Sequence, residues 1–129
     1  MPNKNKKLFT SIIILSLAGL GIFLLVSPRY SSGELDGFAQ CLNEKGAIFY
    51  GAFWCPHCQS QKRLFGSSER LLNYVECSTP DGRGQLPVCQ EKKVTGYPTW
   101  EFADESRLSG EIKLETLAEK TGCELPADK

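Results

Sequence analysis

Two cysteines separated by a Pro-His dipeptide are the residues of this sequence with the clearest capacity for chemistry. They are Cys55 and Cys58, in the stretch AFWCPHCQSQ. A pair at this spacing can be a redox-active disulfide, an inert cross-link, half of a zinc site or a haem attachment site. Haem attachment requires a histidine directly after the second cysteine, and residue 59 is glutamine. A structural zinc site would need a second pair at the same spacing, which the sequence lacks.

An inert cross-link is the remaining structural alternative, and this spacing suits it poorly. The entropic stabilisation by a disulfide grows with the length of the loop that it closes, so a bridge between Cys55 and Cys58 would stabilise least. The sequence therefore favours a pair of cysteines that exchanges disulfides with other molecules.

The residues after Cys55 predict a helix, which would activate this cysteine as a nucleophile. Only a thiolate attacks a disulfide, and a free cysteine with a pKa near 8.5 is about 3% ionised at pH 7. The unpaired N–H groups and the dipole at a helix N-terminus stabilise a thiolate. Pro56 suits the first turn, and His57 adds a donor, or a positive charge when protonated, beside Cys55. We expect Cys55 to attack and the inward-facing Cys58 to resolve.

The composition indicates the compartment and excludes one class of partner. Six cysteines in 129 residues suit an oxidising environment, where disulfides persist. Four of the 15 basic residues and none of the acidic ones precede residue 30, so the rest of the chain has a net charge of −4. This balance gives no reason to expect nucleic acid as a partner.

The uncharged run LFTSIIILSLAGLGIFLLV, residues 8–26, predicts a transmembrane anchor. As a helix it would be about 28 Å long, close to the roughly 30 Å hydrocarbon core of a bilayer. The lysines of residues 1–7 favour a cytoplasmic N-terminus, as in a single-pass membrane protein with an extracytoplasmic domain. The alternative is a cleaved signal peptide with a poor site near residues 31–33, although its apolar run is normally about 7–15 residues. Both interpretations export the domain.

The remaining chain divides into a polar linker over residues 27–34, a domain over residues 35–124 and a tail over residues 125–129. Hydrophobic spacing in the domain predicts the order α, β, α, β, α, β, β, α. The helices are expected at about 35–46, 56–65, 88–94 and 114–122, and the strands at about 47–54, 74–77, 97–103 and 106–112. Early parallel strands and a late hairpin predict an α/β domain whose mixed sheet has helices on both faces.

This order resembles the thioredoxin fold once two motifs, 43 residues apart, are considered together. They are Trp54-Cys55-Pro56-His57-Cys58 at the end of the first strand and Gly96-Tyr97-Pro98-Thr99 before the hairpin. The segments FYGAFWCPHCQSQKRLFG, YVEC, LPVCQEKKVTGYPTWEF and the final TGC resemble more closely the thioredoxin-like domain of vitamin K epoxide reductase homologues from bacteria and plastids. The four-helix quinone-reducing bundle of those fusions is not among these 129 residues. The resemblance therefore implies a vitamin K epoxide reductase-like membrane protein that acts in trans, unless the chain is a fragment, and a catalytic domain in the periplasm or the thylakoid lumen.

The resemblance also implies roles for individual residues around the cysteine pair. Pro98 would be a cis proline beside Cys55, and Trp54 and Tyr97 would rim a surface that docks an extended substrate chain. Core packing is the alternative for the aromatic residues: we expect it for Phe53, and it is an equal alternative for Tyr97. The implied substrates are proteins with thiols or disulfides, and the implied chemistry uses no bound cofactor and no metal.

Two features favour oxidation of substrate dithiols over reduction of substrate disulfides. The Pro-His dipeptide resembles the oxidising members of the superfamily. Phe49 occupies the place of a buried carboxylate with which thioredoxins take the proton of the resolving thiol. Reduction potentials in this fold span about −270 to −120 mV, which is about 7 kcal/mol for two electrons. The alternative is an exported reductase that receives electrons from a membrane transporter.

The other four cysteines allow three pairings, of which we favour Cys77–Cys89 and Cys41–Cys123 as structural disulfides. Cys77 ends a strand and Cys89 opens a helix after a loop rich in Gly and Pro, so a bridge would fasten that loop. The chain-entropy relation gives about 3 kcal/mol for this loop and about 4.5 kcal/mol for the one from Cys41 to Cys123. The alternative is that Cys77–Cys89 is a second redox pair that relays electrons.

Overall fold

The computed structural model of the protein describes residues 33–127. The predicted basic N-terminus, the anchor over residues 8–26 and most of the linker lie outside this part of the chain, as does the end of the tail. Between residues 33 and 127, no helix is both long enough and apolar enough to cross a membrane.

The helices and strands follow the predicted order α, β, α, β, α, β, β, α. The helices are α1 (Asp36–Glu44), α2 (Pro56–Phe65), α3 (Pro87–Glu91) and α4 (Leu114–Thr121), and the strands are β1 (Ile48–Gly51), β2 (Tyr74–Glu76), β3 (Thr99–Glu101) and β4 (Arg107–Ser109). A 3-10 helix over Gly66–Leu71, between α2 and β2, was not predicted. All four strands are shorter than predicted, and at β1 and β3 apolar and aromatic residues continue beyond the ends of the hydrogen-bonded segments.

The four strands form one mixed sheet in the order β2-β1-β3-β4. Strand β1 is parallel to β2 and antiparallel to β3, and β3 and β4 form the predicted antiparallel hairpin. A mixed four-stranded sheet of this kind, flanked by helices, fits a thioredoxin-like fold. The order of the strands places the end of β1, where the cysteine pair follows, in the centre of the sheet.

Neighbouring residues of β1 point to opposite faces of the sheet and so build two separate cores. Phe49 is fully buried on one face and stacks on Trp100, with ring centroids 4.9 Å apart. Phe38 of α1 and Phe65 of α2 belong to the same core. Tyr50 lies on the other face, where it packs with Cys77, Cys89 and Val94.

Two disulfides and an ion pair fasten the periphery of the domain. The disulfides are Cys41–Cys123 and Cys77–Cys89, so both pairs favoured from the sequence are present. Both guanidinium NH groups of Arg70, on the 3-10 helix, lie 2.6 Å from the carboxylate oxygens of Asp36 at the start of α1. The hydrogen bond from Arg70 holds the pKa of the Asp36 carboxyl well below its usual range.

Candidate redox site

Strand β1 and helix α2 position the first cysteine at the N-terminus of the helix. Cys55 is the N-cap residue, and its sulfur accepts a hydrogen bond from the backbone N–H of Cys58 over 3.4 Å. Pro56 is the first helical residue, where a missing N–H leaves no partner unsatisfied. The sulfur of Cys55 thus takes the place that a Ser or Asp oxygen has in most helix caps, and it faces the unpaired donors of the first turn.

The second motif lies beside the first, and its Tyr97–Pro98 peptide bond is cis. The sulfur of Cys55 lies 3.7 Å from the carbonyl oxygen of Tyr97, although the two residues are 42 positions apart in the chain. Pro98 is itself buried, directly before strand β3. The cysteine pair and the Gly-x-Pro-Thr motif therefore form one site.

Two thiols with different environments make up the pair, and both are free. Cys55 is 5% exposed and Cys58 is 1% exposed, so the second thiol is the deeper one. Burial raises the pKa of Cys58 to about 12. Cys58 is consequently protonated at neutral pH, and it needs a proton acceptor before it can attack a disulfide.

The imidazole of His57 pairs with a carboxylate that the sequence analysis missed. Its Nδ1 lies 2.6 Å from Oε1 of Glu111, which follows strand β4. Gln61 of α2 holds this segment in place: its side-chain amide donates to the carbonyl of Ile112 over 2.9 Å and accepts from the N–H of Ile112 over 2.6 Å. Glu111 therefore partly offsets a charge on His57. The two residues are 54 positions apart in the chain, so no local sequence pattern indicates their contact.

Phe53 and Trp54 form an exposed aromatic surface beside the cysteine pair. Each is 50% exposed, so the prediction that Phe53 packs in the core is wrong. Strand β1 ends at Gly51, and Phe53 therefore lies in the turn before α2 and not on the buried face of the strand. The indole N–H of Trp54 donates to the hydroxyl of Ser78 over 2.8 Å, which fixes the ring against the segment after β2.

Tyr97 lies between the exposed surface and the core. It is partly buried, and its ring meets that of Trp54 edge-on with centroids 6.2 Å apart. Its hydroxyl accepts a hydrogen bond from Gln85 over 2.7 Å. Part of the Tyr97 side chain therefore packs against neighbouring residues, and part of it borders the exposed aromatic surface. Each of the two alternatives describes part of its environment.

The loop closed by Cys77–Cys89 forms a wall of this surface. Both of its cysteines are fully buried. A Cβ atom at Gly82 in this loop would lie 3.4 Å from the Trp54 ring and 3.7 Å from the Phe53 ring. The disulfide therefore fastens the loop against the aromatic residues beside Cys55.

Two polar residues near Cys58 were also missed. Tyr74, at the start of β2, donates its hydroxyl hydrogen to Oε2 of Glu76 over 2.7 Å. Phe49 is an aromatic ring that stacks on Trp100, so it offers no base to Cys58. No cluster of three or more His, Cys, Asp or Glu side chains suited to a metal ion occurs within residues 33–127.

The comparisons with known proteins agree with this geometry. No family model matches the chain. The chain is similar to the thiol-disulfide oxidoreductase LTO1 of Arabidopsis thaliana, with 49% identity over 100 residues that cover 74% of this chain. The chain spans about a quarter of the length of that relative, 26%.

Proposed function

We propose that the protein is a membrane-anchored thiol–disulfide oxidoreductase that oxidises protein dithiols through Cys55 and Cys58. The observation that carries the proposal is the position of the Cys55 sulfur, which caps helix α2 and lies 3.7 Å from the carbonyl before the cis proline. The similarity to a relative named as a thiol-disulfide oxidoreductase supports the same activity.

The exchange proceeds in two steps from the oxidised pair. A substrate thiolate attacks the sulfur of Cys55, the Cys55–Cys58 bond breaks, and Cys58 leaves with the electron pair and takes up a proton. A second substrate thiolate then attacks the substrate sulfur of this mixed disulfide and releases Cys55 as a thiolate. The substrate gains a disulfide, and the protein takes up two electrons as its dithiol.

The substrate would dock as an extended chain along the surface at Trp54 and Tyr97, beneath which Pro98 is buried. Trp54 is half-exposed beside Cys55, and the backbone carbonyl of Tyr97 is available next to the sulfur that forms the mixed disulfide. Docking at this surface would present a substrate thiol to Cys55, whereas Cys58 stays buried behind it. The order of attack follows from this difference in access.

The partner and location that we propose come from the resemblance and the sequence. A membrane protein similar to the vitamin K epoxide reductase homologues would reoxidise the pair by presenting a disulfide and would pass the electrons to a quinone. Residues 8–26 would anchor the chain, with the domain in the periplasm or the thylakoid lumen. These assignments suit a pair that is kept oxidised by a quinone-linked partner and not by a glutathione buffer.

Redox equilibration with glutathione tests the direction of electron flow. We expect a reduction potential for Cys55–Cys58 nearer to about −150 mV than to about −270 mV, within the range of this fold. Thiol trapping in cells should find the pair mostly oxidised. A potential below about −250 mV, or a pair that is largely reduced in cells, would contradict the oxidase and favour the reductase.

A further inference from the structure

Cys58 must lose a proton whenever it closes the disulfide with Cys55, and its surroundings oppose this loss. Burial raises the pKa of Cys58 to about 12, although the positive charge of Lys62 acts in the opposite direction. Phe49 occupies the place of the carboxylate that would serve as the base in a thioredoxin. The acceptor of this proton must therefore lie elsewhere around the sulfur.

Gly51 has no side chain, and the sulfur of Cys58 and the hydroxyl of Tyr74 both lie near the position that one would occupy. A Cβ atom on Gly51 would lie 3.2 Å from the Cys58 sulfur and 3.3 Å from the Tyr74 hydroxyl oxygen. It would also lie 2.8 Å from Cε2 of the Tyr74 ring, so any side chain at residue 51 would collide with the tyrosine. Both polar atoms therefore lie close to the same point beside residue 51.

The hydroxyl of Tyr74 is hydrogen-bonded to the carboxylate of Glu76. Oε1 of Glu76 accepts the backbone N–H groups of Phe53 over 3.2 Å and of Ser78 over 2.8 Å. Its other oxygen, Oε2, accepts the hydroxyl hydrogen of Tyr74 over 2.7 Å. The two backbone donors hold the carboxylate in one orientation, in which Oε2 faces the hydroxyl of Tyr74.

We propose that Tyr74 and Glu76 relay the proton of Cys58 to and from the carboxylate during disulfide exchange. The proposal rests on the proposed function, since it concerns the resolving step of that reaction. When the pair is reoxidised, Cys55 is first joined to a sulfur of the partner. The sulfur of Cys58 then attacks the sulfur of Cys55, and the partner sulfur leaves as a thiolate with the electron pair.

The proton of Cys58 passes in this step to the oxygen of Tyr74, and the hydroxyl proton of Tyr74 passes to Oε2 of Glu76. In the oxidation of a substrate the same transfers run in reverse, so Cys58 is protonated as it leaves. Burial raises the pKa of Tyr74, and the tyrosine therefore stays neutral before and after each transfer.

The other ionisable groups that act on Cys58 in the described residues cannot take this proton. They are Cys55 and Lys62. Cys55 is bonded to the partner in the resolving step. The ammonium of Lys62, 3.6 Å above the centroid of the Tyr74 ring, has donors but no acceptor. Tyr74, whose hydroxyl donates to Glu76, therefore carries the proton in this relay.

The relay is tested with one equivalent of 5,5′-dithiobis(2-nitrobenzoate) added to the full chain in detergent, reduced only at Cys55 and Cys58. The first nitrothiobenzoate is released when Cys55 attacks the reagent, and the second when Cys58 displaces it from Cys55. The variants are Tyr74→Phe, which keeps the ring, and Glu76→Gln, which keeps an oxygen acceptor. Tyr50→Phe is the control, because it removes a buried phenol from the opposite face of the sheet.

We expect the second phase of the unaltered chain to vary little between about pH 6 and pH 8, because the proton of Cys58 passes to an internal acceptor and not to hydroxide. Both variants should slow this phase at least about tenfold at pH 7 and make it rise about tenfold per pH unit, while Tyr50→Phe matches the unaltered chain. If Tyr74→Phe does not fold, Glu76→Gln alone tests the relay. A second phase that keeps its rate and pH profile in the variants overturns the relay alone, whereas absence of the first phase contradicts the proposed function itself.

Discussion

The backbone N–H of Cys58 points at the sulfur of Cys55 across 3.4 Å, so the second cysteine of the pair stabilises the first. Burial raises the pKa of Cys58 to about 12, so this thiol stays protonated at neutral pH. We therefore predict that iodoacetamide modifies Cys55 and spares Cys58 between about pH 6 and pH 9.

Mass mapping of the reduced chain after a timed exposure measures this difference. The two structural disulfides serve as internal controls, because their cysteines do not react while the bridges are intact. Equal rates of modification at Cys55 and Cys58 would contradict the assignment of attacking and resolving thiols.

The pairing of His57 with Glu111 predicts opposite shifts of the reduction potential in two variants. His57→Ala leaves the carboxylate unopposed near the thiolate and should lower the potential. Glu111→Gln removes a negative charge that opposes the thiolate, and it should raise the potential. Both side chains are largely exposed, so each shift should be no more than about 20 mV.

Glutathione equilibria of the two variants, with Glu119→Gln as the control, measure these shifts. Glu119 is an exposed carboxylate on α4, so its loss changes the net charge by the same amount as the loss of Glu111. Shifts of the same sign in His57→Ala and Glu111→Gln would contradict the electrostatic role of the pair.

The disulfides Cys41–Cys123 and Cys77–Cys89 should behave as structural elements and not as redox relays. Replacing Cys41 and Cys123 by Ser, which opens a bridge with a sequence separation of 82, should cost about 4–5 kcal/mol of the free energy of unfolding. The same change at Cys77 and Cys89, with a separation of 12, should cost about 3 kcal/mol. Urea unfolding measures both values.

Graded reduction then distinguishes the structural interpretation from the relay of electrons. Cys55–Cys58 should open first and the two other bridges should stay closed, since Cys77 and Cys89 are fully buried. Opening of Cys77–Cys89 at a similar potential would favour the second redox pair.

The ion pair between Asp36 and Arg70 predicts a loss of stability in acid. The hydrogen bond from Arg70 lowers the pKa of the Asp36 carboxyl in the folded state below its unfolded value near 3.9. A lowered pKa means that the contribution is complete above about pH 5 and is lost as the pH falls through the folded value. The difference in Tm between the unaltered chain and Asp36→Asn should therefore shrink from about pH 4 downwards.

Scanning calorimetry at a series of pH values measures this difference. Glu124→Gln is the control, because it removes an exposed carboxylate elsewhere on the surface. A difference in Tm for Asp36→Asn that stays constant down to about pH 2 would contradict the role of the pair.

The order of elements was predictable from the sequence because it depends on local patterns. The apolar spacing of Phe38, Ala39 and Leu42 marks α1, and the cysteine motif and the proline motif carry strong turn and helix signals further along the chain. The ends of β1 were not predictable in the same way. Phe53 and Trp54 continue the apolar run beyond Gly51, and the site exposes them.

The centre of the candidate site was predictable, but its electrostatic surroundings were not. Cys55, Cys58 and Pro98 belong to motifs with fixed spacing. Glu111 is distant in sequence from the residue that it contacts, and an isolated acidic residue carries no signal in one sequence. Glu76 is close to β1 only because β2 is parallel to it, which a local pattern cannot show.

The transfer of a sulfur–sulfur bond through Cys55 is tested most directly with the full chain carrying Cys58→Ser. This variant is mixed with an unfolded protein that contains non-native disulfides, and the products are separated without reductant and mapped by mass spectrometry. We predict a conjugate that is sensitive to reductant and joins Cys55 to the unfolded protein, since no resolving thiol remains to break it. Cys55→Ser should form none. Absence of the conjugate in Cys58→Ser, or its formation through Cys58 in Cys55→Ser, would contradict the assignment of Cys55 as the exchanging sulfur.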